Sequence, residues 1–181
     1  MAHGSLYAGH MVARPGVRFM LRNPVHILGL SFGAGLIPFA PGSFGTLAAF
    51  PLFWWLHPRL EPLELLALLG VLSVLGIWVC GRTGRALGVD DHQAIVWDET
   101  VAFLIVLFFT PPVLIWQAFA FVLFRLFDIF KPGPIRAIER MFRGGFGVMI
   151  DDLVAAFFAL LCLALYKVLF PVGGWFGSGL V

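Results

Sequence analysis

Long apolar runs, separated by short polar turns, dominate the pattern of residues along the chain. Each run has roughly the 20 residues that an α-helix needs to cross the hydrocarbon core of a bilayer. The run nearest the N-terminus is as free of charge as the others but is interrupted by glycines and prolines. The pattern predicts an all-α fold, a polytopic membrane helical bundle with about five hydrophobic segments, the first one broken by a Gly/Pro-rich stretch. These segments are 25–56, 63–80, 94–109, 113–130 and 149–170.

The interruption lies between residues 31 and 46, where four glycines and two prolines precede a helix expected at 47–56. Non-helical backbone at membrane depth has to be buried in protein or line a wet cavity, because lipid cannot satisfy its polar groups. A glycine-rich turn before a helix exposes backbone N–H groups that suit an anion, and the hydroxyls of Ser43 and Thr46 are near in sequence. A helix break that is simply packed inside the protein would have the same sequence pattern, so the anion-binding turn and the packed break both stay open. A similar turn, 143–147, precedes the last predicted helix.

The composition excludes most soluble classes of protein. Apolar residues make up 60% of the 181 positions and charged residues only 12%, with a mean hydropathy of +0.95. This charged share is about half of that in a soluble domain, and a disordered chain has the opposite composition. The net charge of +2 is too small to indicate a nucleic-acid partner. Cys80 and Cys162 lie in apolar runs, where they are expected to be buried thiols.

Composition divides the chain into three parts, and the distribution of basic residues predicts its orientation in the membrane. Residues 1–23 form a basic lead, residues 24–170 a membrane domain that carries the candidate chemistry, and residues 171–181 an uncharged glycine-rich tail. If the broken first segment crosses once, the lead shares one side with the loops 81–93 and 131–148. That side then holds nine Lys or Arg residues, against two opposite. Because basic loops remain in the cytoplasm, the N-terminus is predicted to be cytoplasmic.

Seven of the ten carboxylates lie at or near the cytoplasmic ends of the predicted helices. Charges on membrane helices are costly, and neighbouring like charges need a cation or a proton between them. Carboxylates completed by water and phosphate oxygens suit Mg²⁺, so we predict a metal site here. The seven are Asp90, Asp91, Asp98, Glu99, Asp128, Asp151 and Asp152.

The alternative interpretation gives these acids a structural role only. Carboxylates at helix starts complement the helix dipole, which favours an anion by a few tenths to about 1 kcal/mol. Asp128 lies at a predicted helix end instead, where Arg125 and Lys131 would compensate it in a plain ion-pair triad. The same two cations would equally suit the oxygens of a phosphate.

Five short sequence strings follow one another between about residue 23 and about residue 170. Their combination is specific for one protein family, whereas each string alone would be weak evidence. They are Asn23-Pro24, 41–49 (PGSFGTLAA), 91–99 (DHQAIVWDE), 124–132 (FRLFDIFKP) and 144–155 (GGFGVMIDDLVA). Together they resemble the phosphatidylglycerophosphatase A family of bacterial inner-membrane lipid phosphatases. The resemblance implies Mg²⁺-dependent removal of the terminal phosphate from phosphatidylglycerophosphate, which yields phosphatidylglycerol and inorganic phosphate.

The resemblance also implies a role for each candidate residue. Mg²⁺ ligands are expected at Asp98, Glu99, Asp128, Asp151 and Asp152, and substrate-binding groups at Ser43, Thr46, Arg125 and Lys131. Water attacks the phosphorus, or Asp98 or Asp151 acts as the nucleophile through an aspartyl-phosphate. His92 is the candidate donor of a proton to the leaving glycerol oxygen, and the alternative interpretation is a loop histidine with no such role. The expected partners are a phospholipid substrate and the membrane itself, and the oligomeric state stays open.

A small membrane carrier that uses the acidic cluster as a cation site is the alternative function. A carrier needs polar residues that continue to the far side of the membrane, whereas the outer halves of the predicted spans are nearly all hydrocarbon. The one-sided acidic site therefore favours an enzyme, at the cytoplasmic face of the bacterial inner membrane.

Overall fold

The computed structural model describes residues 14–131 and 141–169, and these residues are helical with no strand among them. The predicted all-α class is therefore confirmed. The predicted tail 171–181 lies outside these residues, as do 1–13 of the predicted lead and 132–140 of the predicted loop 131–148. The elements are α1 (Val17–Leu21), α2 (Pro24–Gly29), a 3₁₀-helix (Ser31–Leu36), α3 (Pro41–Leu56), α4 (Pro62–Leu87), α5 (Trp97–Phe108), α6 (Leu114–Phe130) and α7 (Gly144–Leu169).

Two helices, α4 and α7, are long and apolar enough to cross a membrane. Each has 26 residues and is therefore about 39 Å long at 1.5 Å per residue, more than the roughly 30 Å of a hydrocarbon core. The helices α3, α5 and α6 have 16, 12 and 17 residues. A bundle with five crossings stays a prediction.

The short helix α5 forms the centre of the bundle. Nine of its 12 residues are buried, because it is apolar on every side beyond its first turn. Phe50 and Phe53 of α3, Phe124 of α6 and Ala155 and Ala159 of α7 belong to the same buried core. A helix enclosed in this way holds the polar residues of its first turn in a fixed position relative to its neighbours.

Glycines let α4 and α7 approach each other to backbone contact. A Cβ atom on Gly145 would overlap the carbonyl oxygen of Ile77 and lie 2.5 Å from the backbone nitrogen of Gly81. One turn further along, a Cβ on Gly76 would lie 2.5 Å from the sulfur of Met149. The distance between these two helices is therefore set by the absence of side chains at the crossing, and α7 is fixed in register against α4.

The helix α3 begins earlier than the sequence predicts, at Pro41 rather than at 47. Ala40 turns the chain in a left-handed conformation (φ 45°), and Pro41 then occupies the first helical position, which suits its fixed φ. Gly42 and Gly45 are inside the helix, where they permit close contacts. A Cβ on Gly45 would lie 2.6 Å from Cβ of Val96.

A buried polar network ties the 3₁₀-helix and α3 to the start of α5. The backbone N–H of Val96 donates to the carbonyl of Gly29 at 3.0 Å. The hydroxyl of Ser31 donates to the carbonyl of Val96 at 3.1 Å, and that of Thr100 donates to the carbonyl of Gly45 at 2.8 Å. The two hydroxyl oxygens are 2.7 Å apart. The glycine-rich stretch is therefore held against α5 by hydrogen bonds.

Two predicted loops are shorter in the structure than in the sequence-based scheme. The helix α4 runs on to Leu87 and is capped by left-handed Gly88 (φ 78°), so the predicted loop 81–93 starts later. The helix α7 starts at Gly144 and absorbs the predicted turn 143–147. Glycine is read as a turn signal in a sequence, but here Gly145 lies within the helix because the crossing with α4 excludes a side chain.

We predict that Gly145→Ala lowers stability while Gly70→Ala does not. The added methyl group at position 145 meets backbone atoms that cannot rotate away, and overpacking of this kind costs about 1–3 kcal/mol. Gly70 is also in a helix, but a Cβ there has open space around it. Thermal unfolding of both variants in detergent provides the comparison. Equal unfolding midpoints would contradict the backbone contact between α4 and α7.

Candidate active site

A polar cavity of about 530 Å³ opens at one end of the helix bundle. The starts of α3 and α5, the second and third turns of α7 and the end of α6 line it, together with the loop before α5. Its volume is in the range of small-molecule sites. Six carboxylates face two basic side chains around the cavity. The carboxylates are those of Asp91, Asp98, Glu99, Asp128, Asp151 and Asp152, and the basic side chains are Arg125 and Lys131.

Three of these carboxylates form a tight cluster. One oxygen from each of Asp98, Glu99 and Asp152 lies within 4.8 Å of the other two. Each residue also has a buried oxygen, Oδ1, Oε2 and Oδ2 respectively, that has no hydrogen-bond partner among the described residues. Buried acceptors without donors cost free energy, and three like charges at this distance repel. The donor set consists of hard anionic oxygens, which fits a divalent cation such as Mg²⁺.

The helices explain why the cluster forms at this point. Asp98 and Glu99 are in the first turn of α5, where free backbone N–H groups stabilise negative charge. Asp152 comes from the third turn of α7, a helix that packs against both α4 and α5. The cluster is therefore assembled by two separate helices, and its geometry depends on how closely they pack.

Arg125 is a basic side chain that reaches the cluster from α6. Its Nη1 atom donates to Oδ2 of Asp128, one turn further along α6, and lies 3.9 Å from Oε1 of Glu99. It also donates to the hydroxyl of Thr46 on α3 at 3.4 Å. The side chain is only 14% exposed, so its charge is held inside the protein by these partners.

Lys131 supplies the second positive charge, immediately after α6. Its Nζ atom donates to Oδ2 of Asp151 at 3.1 Å. The lysine backbone is left-handed (φ 40°), a conformation that is costly for a residue with a side chain and that often marks functional positions. The turn at the end of α6 therefore brings a cation to the carboxylate of α7.

Gly42 forms part of the cavity wall, directly against Glu99. A Cβ atom at this position would overlap Oε1 of Glu99 and lie 3.1 Å from Nη2 of Arg125. The absence of a side chain at the start of α3 thus leaves room for the carboxylate and the guanidinium group to face the same space.

The structure brings together seven of the ten residues that the sequence singles out. These seven line the cavity: Asp98, Glu99, Arg125, Asp128, Lys131, Asp151 and Asp152. The three that do not line it are Ser43, Thr46 and His92. Thr46 is wholly buried behind Arg125.

Asp91 and Gln93 also line the cavity. Asp91 is one of the seven carboxylates grouped in the sequence analysis but is not among the expected ligands, and Gln93 is given no role there. Both belong to the 91–99 string, only a few residues before Asp98. That proximity along the chain was the signal that could have identified them.

His92 is buried in the loop that precedes α5. Its Nδ1 atom accepts a hydrogen bond from the backbone N–H of Ala94 at 3.0 Å. The proton of the neutral ring is then on Nε2. Burial lowers the pKa of His92 below its ordinary value of 6.5, and the nearby charge of Asp91 offsets this only in part.

Comparisons with known proteins cover most of the chain. The family model for phosphatidylglycerophosphatase A matches residues 27–167. A phosphatidylglycerophosphatase A of Escherichia coli K12 is 44% identical over 140 residues, 76% of this chain and 80% of the relative. One of Haemophilus influenzae is 44% identical over 149 residues, 81% of this chain and 91% of the relative.

A third relative carries a different name. A Bacteroides thetaiotaomicron protein, provisionally named a phosphatidylinositol-3-phosphatase, is 36% identical over 148 residues, 78% of this chain and 92% of the relative. No solved structure gives a significant match. The resemblance drawn from the five sequence strings is confirmed by the family model and by the first two relatives.

We predict that acid destabilises the fold partly through His92. The folded chain holds a neutral ring, whereas the unfolded chain binds a proton as the pH falls below about 6.5. The contribution of His92 to the free energy of unfolding is therefore fully present above that pH. It decreases as the pH falls from there towards the lowered pKa of the folded protein. His92→Asn provides the control, because an asparagine oxygen can accept the same local N–H without titrating.

The measurement is the thermal unfolding midpoint of both proteins at pH 7.5 and 5.5. The midpoint of the wild type should decrease more than that of His92→Asn. Parallel decreases would show that the neutral ring contributes nothing to the acid sensitivity.

Proposed function

This chain belongs to the phosphatidylglycerophosphatase A family, and we propose that it hydrolyses the terminal phosphate monoester of phosphatidylglycerophosphate. The products are phosphatidylglycerol and inorganic phosphate. The reaction takes place with Mg²⁺ at the cytoplasmic face of the bacterial inner membrane. The observation that carries the proposal is the cluster of Asp98, Glu99 and Asp152, whose oxygens meet within 4.8 Å beside two basic side chains.

The charge of the cavity supports a requirement for a divalent cation. Six carboxylates and two cations leave the cavity strongly negative, and a phosphate monoester adds roughly −1.5 to −2 at neutral pH. Such a substrate would be repelled by the bare site. Mg²⁺ held by Asp98, Glu99 and Asp152, with Asp128 and Asp151 at the edge of the same cavity, would supply the compensating charge and polarise the phosphoryl oxygens.

The two basic side chains bind the phosphoryl group. Arg125 and Lys131 offer N–H donors to the oxygens over which the transition-state charge is spread. The guanidinium group can donate two parallel hydrogen bonds to a phosphate, whereas the lysine acts as a point charge. Both side chains line the cavity, so they can contact an anion there without a rearrangement of the helices.

The carboxylates next to these cations direct the attacking group. Asp151, held by Lys131 at 3.1 Å, is positioned to orient a water molecule for in-line attack on the phosphorus. The competing route is direct attack by Asp98 or Asp151 to give an aspartyl-phosphate, which water then hydrolyses. Either route ends with a proton on the leaving glycerol oxygen. His92, which the sequence analysis proposed as the donor, has a neutral ring and does not line the cavity, so we assign the proton to water.

The arrangement of the helices supports a site at one membrane face. The cavity collects the ends of helices, and the predicted excess of basic residues lies on the same side. Next to the cavity, deeper in the bundle, aromatic rings of α3, α5 and α6 pack together in a layer. The ring of Phe103 lies 5.3 Å from that of Phe50, 5.5 Å from that of Phe124 and 5.8 Å from that of Phe121. A cation pathway to the far side, as a carrier requires, would have to pass this layer.

Phosphate release from phosphatidylglycerophosphate by the purified protein in detergent tests the proposal. We expect release with Mg²⁺ and none with EDTA. Asp98→Asn should reduce the rate at least about a hundredfold, since losing several kcal/mol of transition-state stabilisation corresponds to that factor or more. The matched control is Asp90→Asn, which removes an exposed carboxylate outside this cavity.

The outcomes separate the substrate from the metal. Release that persists in EDTA and in Asp98→Asn would overturn the metal site but leave the substrate standing. A folded wild-type protein that releases no phosphate would overturn the phosphatase proposal and favour the carrier.

We further predict that Gly42→Ala weakens metal binding without unfolding the protein. The new methyl group displaces the carboxylate of Glu99, which is the mobile end of a side chain and can move aside at small cost to the fold. Mn²⁺ binding followed by electron paramagnetic resonance should weaken, while Gly70→Ala should match the wild type. Unchanged Mn²⁺ affinity in Gly42→Ala would exclude Glu99 as a ligand at this position.

A further inference from the structure

Three groups from three different helices surround the guanidinium group of Arg125. Its Nη1 atom donates to Asp128 on α6 and to Thr46 on α3, and it lies 3.9 Å from Glu99 on α5. The hydroxyl of Thr46 donates in turn to the carbonyl of Gly42 at 2.9 Å. A hydroxyl has a single proton, so this bond leaves its lone pairs free to accept from Arg125. The chain of donors therefore has one direction, from the guanidinium group through the hydroxyl to the backbone of α3.

Thr46 acts on the cavity only through this contact. Its side chain is fully buried and does not line the cavity, so it cannot touch a substrate there. Arg125 does line the cavity. The space that a Cβ on Gly42 would occupy lies 3.1 Å from Nη2 and 3.2 Å from Nη1 of the arginine. The guanidinium group and the carboxylate of Glu99 thus share the space that a side chain at position 42 would fill.

The hydroxyl has a specific effect on where the positive charge lies. Glu99 is an acid of the cluster and is already within 3.9 Å of Nη1. Without the acceptor on α3, only the carboxylates of Glu99 and Asp128 would fix the direction of Arg125. An arginine that is fixed before an anion arrives also loses less rotamer freedom on binding it.

We infer that Thr46 is a positioning residue, whose hydroxyl fixes the Arg125 guanidinium group in the orientation that receives phosphate oxygens. The inference rests on the proposed function and gives Thr46 a different role from the direct substrate contact predicted from the sequence. Arg125 binds the phosphoryl group, and Thr46 on α3 sets its direction.

The experiment measures the binding of inorganic phosphate to the full-length protein in detergent with Mg²⁺, by isothermal titration calorimetry. Thr46→Val has a similar shape but no hydroxyl, and Thr46→Ser keeps the hydroxyl. The contact is long, at 3.4 Å, so losing it should weaken phosphate binding by the amount of an ordinary hydrogen bond, about three- to tenfold, in Thr46→Val, with Thr46→Ser close to the wild type. Thr46→Ala is the second variant, for the case that valine beside the carbonyl of Gly42 prevents folding.

Two further readouts distinguish positioning from a structural role. Mn²⁺ affinity without phosphate should be the same in the wild type, Thr46→Val and Thr46→Ser. In an Arg125→Lys background, Thr46→Val should have no additional effect on phosphate affinity, because the group that it positions is gone.

Each contrary result overturns the inference. Wild-type phosphate affinity in both Thr46→Val and Thr46→Ala would show that the hydroxyl does nothing for Arg125. Additive effects of Thr46→Val and Arg125→Lys, or a parallel loss of Mn²⁺ affinity, would show a general distortion instead. Phosphate release from the lipid is assayed on the same preparations, so failure of the proposed function is seen separately from failure of this inference.

Discussion

The mutual repulsion of three buried carboxylates is the constraint on which the rest of the structure depends. Asp98, Glu99 and Asp152 meet within 4.8 Å, and the guanidinium group of Arg125 lies 3.9 Å from Glu99. The helix N-terminus of α5 contributes about half a charge, which is far from enough to balance three ionised carboxylates. The cluster is therefore stable only with a cation or with protons between the acids, and the packing of the helices has to hold the three groups together.

The force that opposes this repulsion comes from apolar burial and from backbone contacts that only glycine permits. The helix α5 is enclosed on all sides, so its first turn cannot move away from α7. Gly145 brings the backbone of α7 against that of α4, and Gly45 brings α3 against Val96 just before α5. In each case a methyl group would push apart helices whose packing holds the acids of α5 and α7 in place. Glycines near this site therefore determine electrostatics as well as shape.

The sequence predicts the helices and the end of the bundle that carries the acids, because charges on apolar helices are tolerated only near their ends. The sequence does not predict which side chains contact each other in the folded protein. Hydrophobic periodicity identifies the face of a helix but not the residue opposite, so Thr46 is expected at the substrate and is found behind Arg125. The start of α3 at Pro41 is missed for a related reason. A glycine that signals a turn and a glycine that permits a close helix contact have the same letter.

The pairing of cations and acids determines how an anion can bind. Arg125 and Lys131 are held by Asp128 and Asp151, so both cations are partly buried and oriented before any ligand arrives. A phosphate that takes over some of these N–H donors exchanges one anionic acceptor for another and does not have to remove the cations from water. The cost of binding is then carried mainly by the displaced carboxylates, which border the same cavity as the metal cluster. Metal and phosphate binding at this site are therefore expected to support each other, since each relieves the charge imbalance that the other would create.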